Sequence, residues 1–253
     1  MFEVLKNKIF QTRNGAKKYK ESDVTSKSKY HFVYNSSVSK GLVTLLDDIW
    51  PEIKKNIPFA KLIVIGGYYN FADGVLDEQG ELYNNILKNK NYILNGVIFT
   101  DIITPYKVAE HLKHARFMLY PSVFPETFGI SSLESLLYKT PIITCRFGAL
   151  EETALEKACY LLDYPIEPNN LYPNINKESQ VKAFIDLVMK AYNDEYLYKQ
   201  KQEYCSIIED VYGWDTIALQ WKQHLFHKLG YFLSKEEYQK VTKINNDVSR
   251  IFS

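Results

Sequence analysis

Short runs of unbroken apolar residues alternate along this chain with stretches whose apolar positions recur every three or four residues. The runs are His31–Tyr34 (HFVY), Lys61–Ile65 (KLIVI), Val97–Thr100 (VIFT), Phe117–Tyr120 (FMLY), Ile142–Cys145 (IITC) and Cys159–Leu162 (CYLL). Each has the length of a strand, and the lack of polar alternation marks strands covered on both faces. Between them, Leu42, Leu45, Leu46, Ile49, Trp50 and Ile53 predict a helix that Pro58 ends. Tyr83–Asn89 predicts another, and Pro105 suits the first turn of a third running through Ala109, Leu112 and Ala115. The alternation predicts an α/β fold, a Rossmann-like doubly wound parallel sheet with right-handed crossovers.

After Pro168 the pattern is helical only, so a C-terminal helical segment is expected. Val181, Phe184, Ile185 and Val188 mark one helix, and a more charged one follows around Tyr196–Glu209. Ile217, Ala218, Trp221, Leu225 and Leu229 form one stripe, and Glu236–Ile251 is a helix or a loose tail. The chain thus divides into a linker-like segment (1–29), a Rossmann-like domain (30–168), helices packed on it (169–230) and the tail (231–253). The first segment is polar and lysine-rich, with a turn at Asn14-Gly15.

Ligands of such sheets bind at the carboxyl ends of the strands. The loops there are Asn35–Lys40, Gly66–Tyr69, Thr100–Thr104, Ser122–Phe128 and Arg146–Leu150. The stretch Tyr120–Pro141, YPSVFPETFGISSLESLLYKTP, places Glu126 and Glu134 on either side of Thr127-Phe128-Gly129-Ile130, where a loop should turn into a helix. The amides of such a turn, around Phe128, Gly129 and Ile130, meet an anion with free N–H groups and the positive end of the helix dipole. Carboxylates do not recognise phosphate, but an ionised one accepts two O–H donors and suits sugar hydroxyls. Lys40-Gly41, at another helix start, brings an ammonium to a phosphate and lets the backbone approach closely. Together these point to a sugar bonded to a diphosphate.

Composition narrows the classes. The chain has 253 residues and nearly balanced charge (Lys+Arg 31, Asp+Glu 30), so no broad nucleic-acid or membrane footprint is expected. Cys145, Cys159 and Cys205 have neither metal-ligand nor redox spacing, and reduced thiols in a cytoplasmic protein are expected. No run reaches the roughly 18 apolar residues of a membrane span. His111 and His114 are three apart on the third helix, which without a third ligand reads as a solvated face.

The order Lys40-Gly41, KLIVIGG, FPETFGISSLES and GALEET resembles the C-terminal, donor-binding domain of family 4 retaining glycosyltransferases, one half of a GT-B fold. The resemblance covers residues 13–228 and implies a hexosyltransferase whose donor is a UDP- or GDP-sugar and which needs no metal or other cofactor. It implies that Glu126 contacts the donor sugar and that the amides near Phe128, Gly129 and Ile130 hold the diphosphate. It also implies that Glu134 bonds the ribose hydroxyls and that Lys40 stabilises the leaving diphosphate. Asn35 and Ser36, Gly41, Gly66 and Gly67, and Asp101 fall in loops that would border the donor.

Two positions depart from that family's pattern. Asn35 stands where an arginine is usual, five residues before the lysine, and Asp101 stands where a glycine is common. A carboxylate at Asp101 would accept hydrogen bonds from guanine or face water. The resemblance begins almost at the chain start, so the acceptor-binding half is expected to lie elsewhere. Three readings stay open: a donor domain of an enzyme, half of a two-chain enzyme, and a nucleotide-sugar-binding or structural module that transfers nothing. The acceptor, whether glycan, lipid or protein, is not read from the chain.

Overall fold

The computed structural model describes residues 10, 12–19, 26–66, 78–166, 176–229 and 233–252. Among the described residues six strands form one sheet: β1 His31–Asn35, β2 Lys61–Ile65, β3 Val97–Phe99, β4 Phe117–Leu119, β5 Ile142–Cys145 and β6 Tyr160–Leu162. Their order is β3-β2-β1-β4-β5-β6, and every pairing is parallel. Val33 of β1 sits between Ile63 of β2 and Met118 of β4. Phe32, Val33, Tyr34, Phe117, Met118 and Leu119 are all fully buried. Each large apolar side chain of this kind stabilises the fold by about 1.5–3 kcal/mol. The chain runs outward from β1 to β3, then returns to β4 on the other side of β1. That reversal opens a crevice at the carboxyl ends of β1 and β4, where doubly wound sheets take their ligands.

Helix α1 (42–56) connects β1 to β2. It is not the single regular helix that its apolar spacing predicts: a wide π turn, Leu45–Ile49, separates Leu42–Thr44 from Trp50–Asn56. Pro51 is the reason. It has no amide hydrogen, and its ring would strike the carbonyl of Asp47 in a regular helix, whereas a wider turn makes room. Helices α2 (Glu78–Lys88) and α3 (Lys90–Leu94) lead to β3, and α4 (Pro105–His114) leads to β4. Thr104 stands at the α4 N-cap with Pro105 in the first turn. Helix α5 (Ile130–Leu137) precedes β5, and the short α6 (Leu150–Thr153) precedes β6. Helix α4 packs on β1 and α5, while α7 (Lys177–Asn193) packs on α1, β5 and β6.

The remaining helices are α8 (Glu195–Tyr204), α9 (Ile208–Tyr212), α10 (Trp214–Leu229) and α11 (Lys235–Phe252). The stripe expected along α10 is only partly covered. Ile217 is buried, but Trp221 and Leu225 are 45% and 49% exposed. The far part of α10 meets the N-terminal segment instead: Trp221 donates from Nε1 to Thr12 Oγ1 at 2.8 Å, and the Phe10 ring stands edge-on to it. Residues 12–19 are laid against the helices, with Ala16 donating its amide to the Tyr212 carbonyl at 2.7 Å. No helix among the described residues is long and apolar enough to cross a membrane.

Candidate functional site

The loops that leave β1 and β4 touch backbone to backbone. Gly41 takes φ +102°, and a Cβ there would lie 2.0 Å from the Pro121 carbonyl oxygen, so only glycine lets the loops close. Closure brings Lys40 over Glu126, Nζ to Oε1 at 2.7 Å. The Tyr120 phenol donates to the same oxygen. Burial first, and then the hydrogen bond to Glu126, raise the Tyr120 pKa well above that of a free phenol, against a lowering by the Ser36 and Ser122 hydroxyls. Glu126 is only 6% exposed. Its backbone is held from the β5 side, where Ala149 donates its amide to the Glu126 carbonyl at 2.7 Å. Gly148 makes that approach: a Cβ on it would stand 2.5 Å from the Glu126 carbonyl oxygen.

Glu134 lies eight residues on, in α5, and faces β1 across the crevice. Asn35 donates from Nδ2 to Glu134 Oε2 at 3.4 Å. Desolvation raises the Glu134 pKa above the usual carboxylate range, and the Asn35 hydrogen bond opposes it. Both residues line a cavity of about 120 Å³ with Ile103, Pro105, Val108 and Tyr138. Lys17 and Tyr19 form another wall. The Tyr19 amide donates to the Tyr138 hydroxyl at 2.7 Å, and the Tyr19 and Tyr106 rings meet edge to face. The cavity therefore has an apolar floor with one carboxylate, one amide and one ammonium at its rim.

The other expected positions distribute around this pair of clusters. Gly129 caps α5 in the left-handed region (φ +79°) with no side-chain cap hydrogen bond, and in the first turn the Ser132 amide donates to the Gly129 carbonyl at 3.0 Å. Ile130 is exposed, and the Phe128 ring packs edge-on against Tyr212. Gly66 and Asp101 pair with each other by an antiparallel bridge at the ends of β2 and β3, beyond β1 from Glu126. Asp101 adopts φ +59°, the conformation that favours glycine, and its Oδ1 accepts the Ile102 amide at 2.8 Å. Its carboxylate is thus engaged in its own turn. Ser36 lies half-buried beside Tyr120, and Gly67 lies outside the described residues. His114 Nδ1 contacts the Ser26 carbonyl at 3.0 Å, and its ring packs on His31. Among the described residues no three His, Cys, Asp or Glu side chains are grouped as metal ligands.

Four contributors to these clusters do not stand out in the sequence as site residues: Gly148, Lys17, Tyr19 and Tyr138. Tyr120 was visible only as the start of a motif. Its phenol reaching Glu126 depends on the tight turn at Pro121-Ser122, where Ser122 donates its amide back to the Tyr120 carbonyl at 2.8 Å.

The sequence profile of "Glycosyl transferases group 1" matches residues 29–187, more than half of the chain. The chain belongs to this family. Among curated proteins, none matches this glycosyl transferase chain in sequence. Among solved structures it is similar to the pneumococcal O-GlcNAc transferase GtfA in complex with UDP and GlcNAc, with a TM-score of 0.61 and 14% identity. That likeness covers 86% of this chain and 38% of GtfA. It is also similar to sucrose-phosphate synthase from Thermosynechococcus elongatus (TM-score 0.58, 21% identity, 79% of this chain and 45% of that one). HepE of Anabaena in complex with UDP-glucose gives a TM-score of 0.56 at 17% identity, over 78% and 48% of the two chains. These neighbours are GT-B glycosyltransferases, and the present chain has the fold of one Rossmann-like half. It spans less than half the length of each.

Proposed function

We propose that this chain binds the donor of a retaining hexosyl transfer, a UDP- or GDP-sugar, in the crevice between β1 and β4. The observation that carries the reading is the ion pair of Lys40 with the buried Glu126 at 2.7 Å, set at the topological switch point. In this reading the ribose hydroxyls bond to Glu134, with the nucleoside along the cavity that Ile103 and Pro105 line. The diphosphate lies between Lys40 and the first-turn amides after Gly129, and Glu126 accepts hydroxyls of the sugar. As the sugar–phosphate bond breaks, charge grows on the departing diphosphate. Lys40 and preorganised amides stabilise that charge, and no metal is invoked. The neighbours crystallised with UDP or UDP-glucose support a uridine nucleotide as the first donor to test.

The span of this chain against its neighbours favours a second body that carries the acceptor, in the same or another polypeptide. Calorimetric titration with UDP, GDP, UDP-glucose and GDP-mannose tests the donor reading. Binding of one nucleotide, tightened by its sugar, is the expected result. Heat from none of the four would overturn it.

A further inference from the structure

Glu126 presents two oxygens, and the fold treats them differently. Oε1 takes both described donors, the Lys40 ammonium and the Tyr120 phenol. No described residue donates to Oε2. Of the two donors, Lys40 is on a flexible stem and about three-tenths of its side chain is exposed. Tyr120 is the fixed one. It is 1% exposed, its amide donates to the Ile143 carbonyl at 2.9 Å, and its ring stands edge-on to that of Tyr34. Tyr34 is itself tied down, donating its hydroxyl to the Ser37 carbonyl at 2.7 Å.

We propose that Tyr120 is a positioning residue for the donor sugar: its phenol holds Oε1 of Glu126 so that Oε2 faces the sugar hydroxyls. The proposal rests on the nucleotide-sugar reading of this crevice. The physical reason is the division of labour that reading asks of Lys40. An ammonium drawn toward a diphosphate loosens its hold on Glu126, and a buried carboxylate left without a donor is costly and free to turn. A phenol anchored in the core keeps one oxygen satisfied whichever way Lys40 leans. A side chain locked by its own packing holds a first contact in place better than a mobile one does.

Tyr120→Phe deletes only the hydroxyl and keeps the ring against Tyr34. The test titrates the wild-type chain and this variant with UDP, UDP-glucose, GDP and GDP-mannose, with thermal melts as a check on folding. The variant is expected to keep its bare-nucleotide affinity within about twofold and to lose about tenfold of the gain the sugar adds, as for one charged hydrogen bond. A purely structural role would weaken nucleotide and nucleotide sugar in parallel, and that outcome overturns the proposal. So does a folded variant whose sugar-dependent gain is unchanged. A wild-type chain that binds none of the four ligands removes the donor reading itself, a result distinct from either. Where Tyr120→Phe does not fold, Lys40→Met leaves the phenol as the one described donor to Glu126: a sugar-dependent gain that persists supports the assignment, and its complete loss overturns it.

Discussion

Gly41 and Pro121 meet so closely that the Cβ of any other residue at position 41 would fall 2.0 Å from the Pro121 carbonyl oxygen. This contact joins the loops after β1 and β4, and so sets Lys40 beside Glu126. Gly41→Ala therefore faces a backbone clash and a strained φ of +102° together. It should destabilise the chain by about 3 kcal/mol, the upper range for single substitutions. Urea unfolding measures this directly. An unchanged midpoint would mean that the two loops are not held together as described.

Lys40→Met removes the ammonium and keeps most of the stem. UDP affinity should fall about tenfold, the effect of one charged contact to phosphate. The rate of UDP release from a bound donor should fall more, on the order of a hundredfold, because the charge on the leaving group is largest in the transition state. Calorimetry and a UDP-release assay separate the two effects. An affinity loss with an unchanged rate from the bound donor would place Lys40 in ground-state binding alone.

The sheet was legible because its strands are covered on both faces and so read as unbroken apolar runs, HFVY and KLIVI among them. Lys40, Glu126 and Glu134 could be singled out because glycines and helix starts stand beside them. What local periodicity does not carry is contact between distant segments. The packing of Ala16 on Tyr212 joins residues nearly 200 apart, and the Tyr19–Tyr138 hydrogen bond joins two segments that look unrelated. Asp101 is a different case: its left-handed backbone and the hydrogen bond its carboxylate accepts from the Ile102 amide show that the side chain is drawn into its own turn. Trp221 and Leu225 have helical spacing yet remain exposed, because spacing says which face is apolar and not whether anything covers it.

The raised pKa of Glu134 gives nucleotide binding a pH dependence. Desolvation is the main cause and the hydrogen bond from Asn35 opposes it. The carboxylate therefore takes up its proton at a higher pH than an ordinary glutamate as the solution is acidified. If Glu134 accepts the ribose hydroxyls, UDP affinity falls as pH drops, and the fall begins above the usual carboxylate range. Asn35→Ala removes the lowering influence and should move the fall to still higher pH, whereas Glu134→Gln should flatten it. Dissociation constants measured from pH 4 to 8 check all three. A Glu134→Gln profile that superimposes on the wild type would detach this residue from the nucleotide.

Stability has a pH dependence of its own, centred away from the crevice. His31, at the start of β1, has its pKa lowered from 6.5 to about 4, chiefly by desolvation and then by His114, Lys61 and His111. The sign follows from linkage: between those two values the unfolded chain binds a proton that the folded chain refuses. The contribution of His31 is thus fully present above pH 6.5 and is lost as pH falls toward 4. Melting temperature should decline through this window, before most carboxylates begin to titrate. His31→Thr, which suits a strand, should make the decline shallower. Part of the slope should remain, because the pKa of His111 on α4 is lowered as well, again mainly by desolvation. Melting curves of both proteins at half-unit steps from pH 7 to 4 decide it: parallel declines would assign the acid sensitivity to groups other than His31.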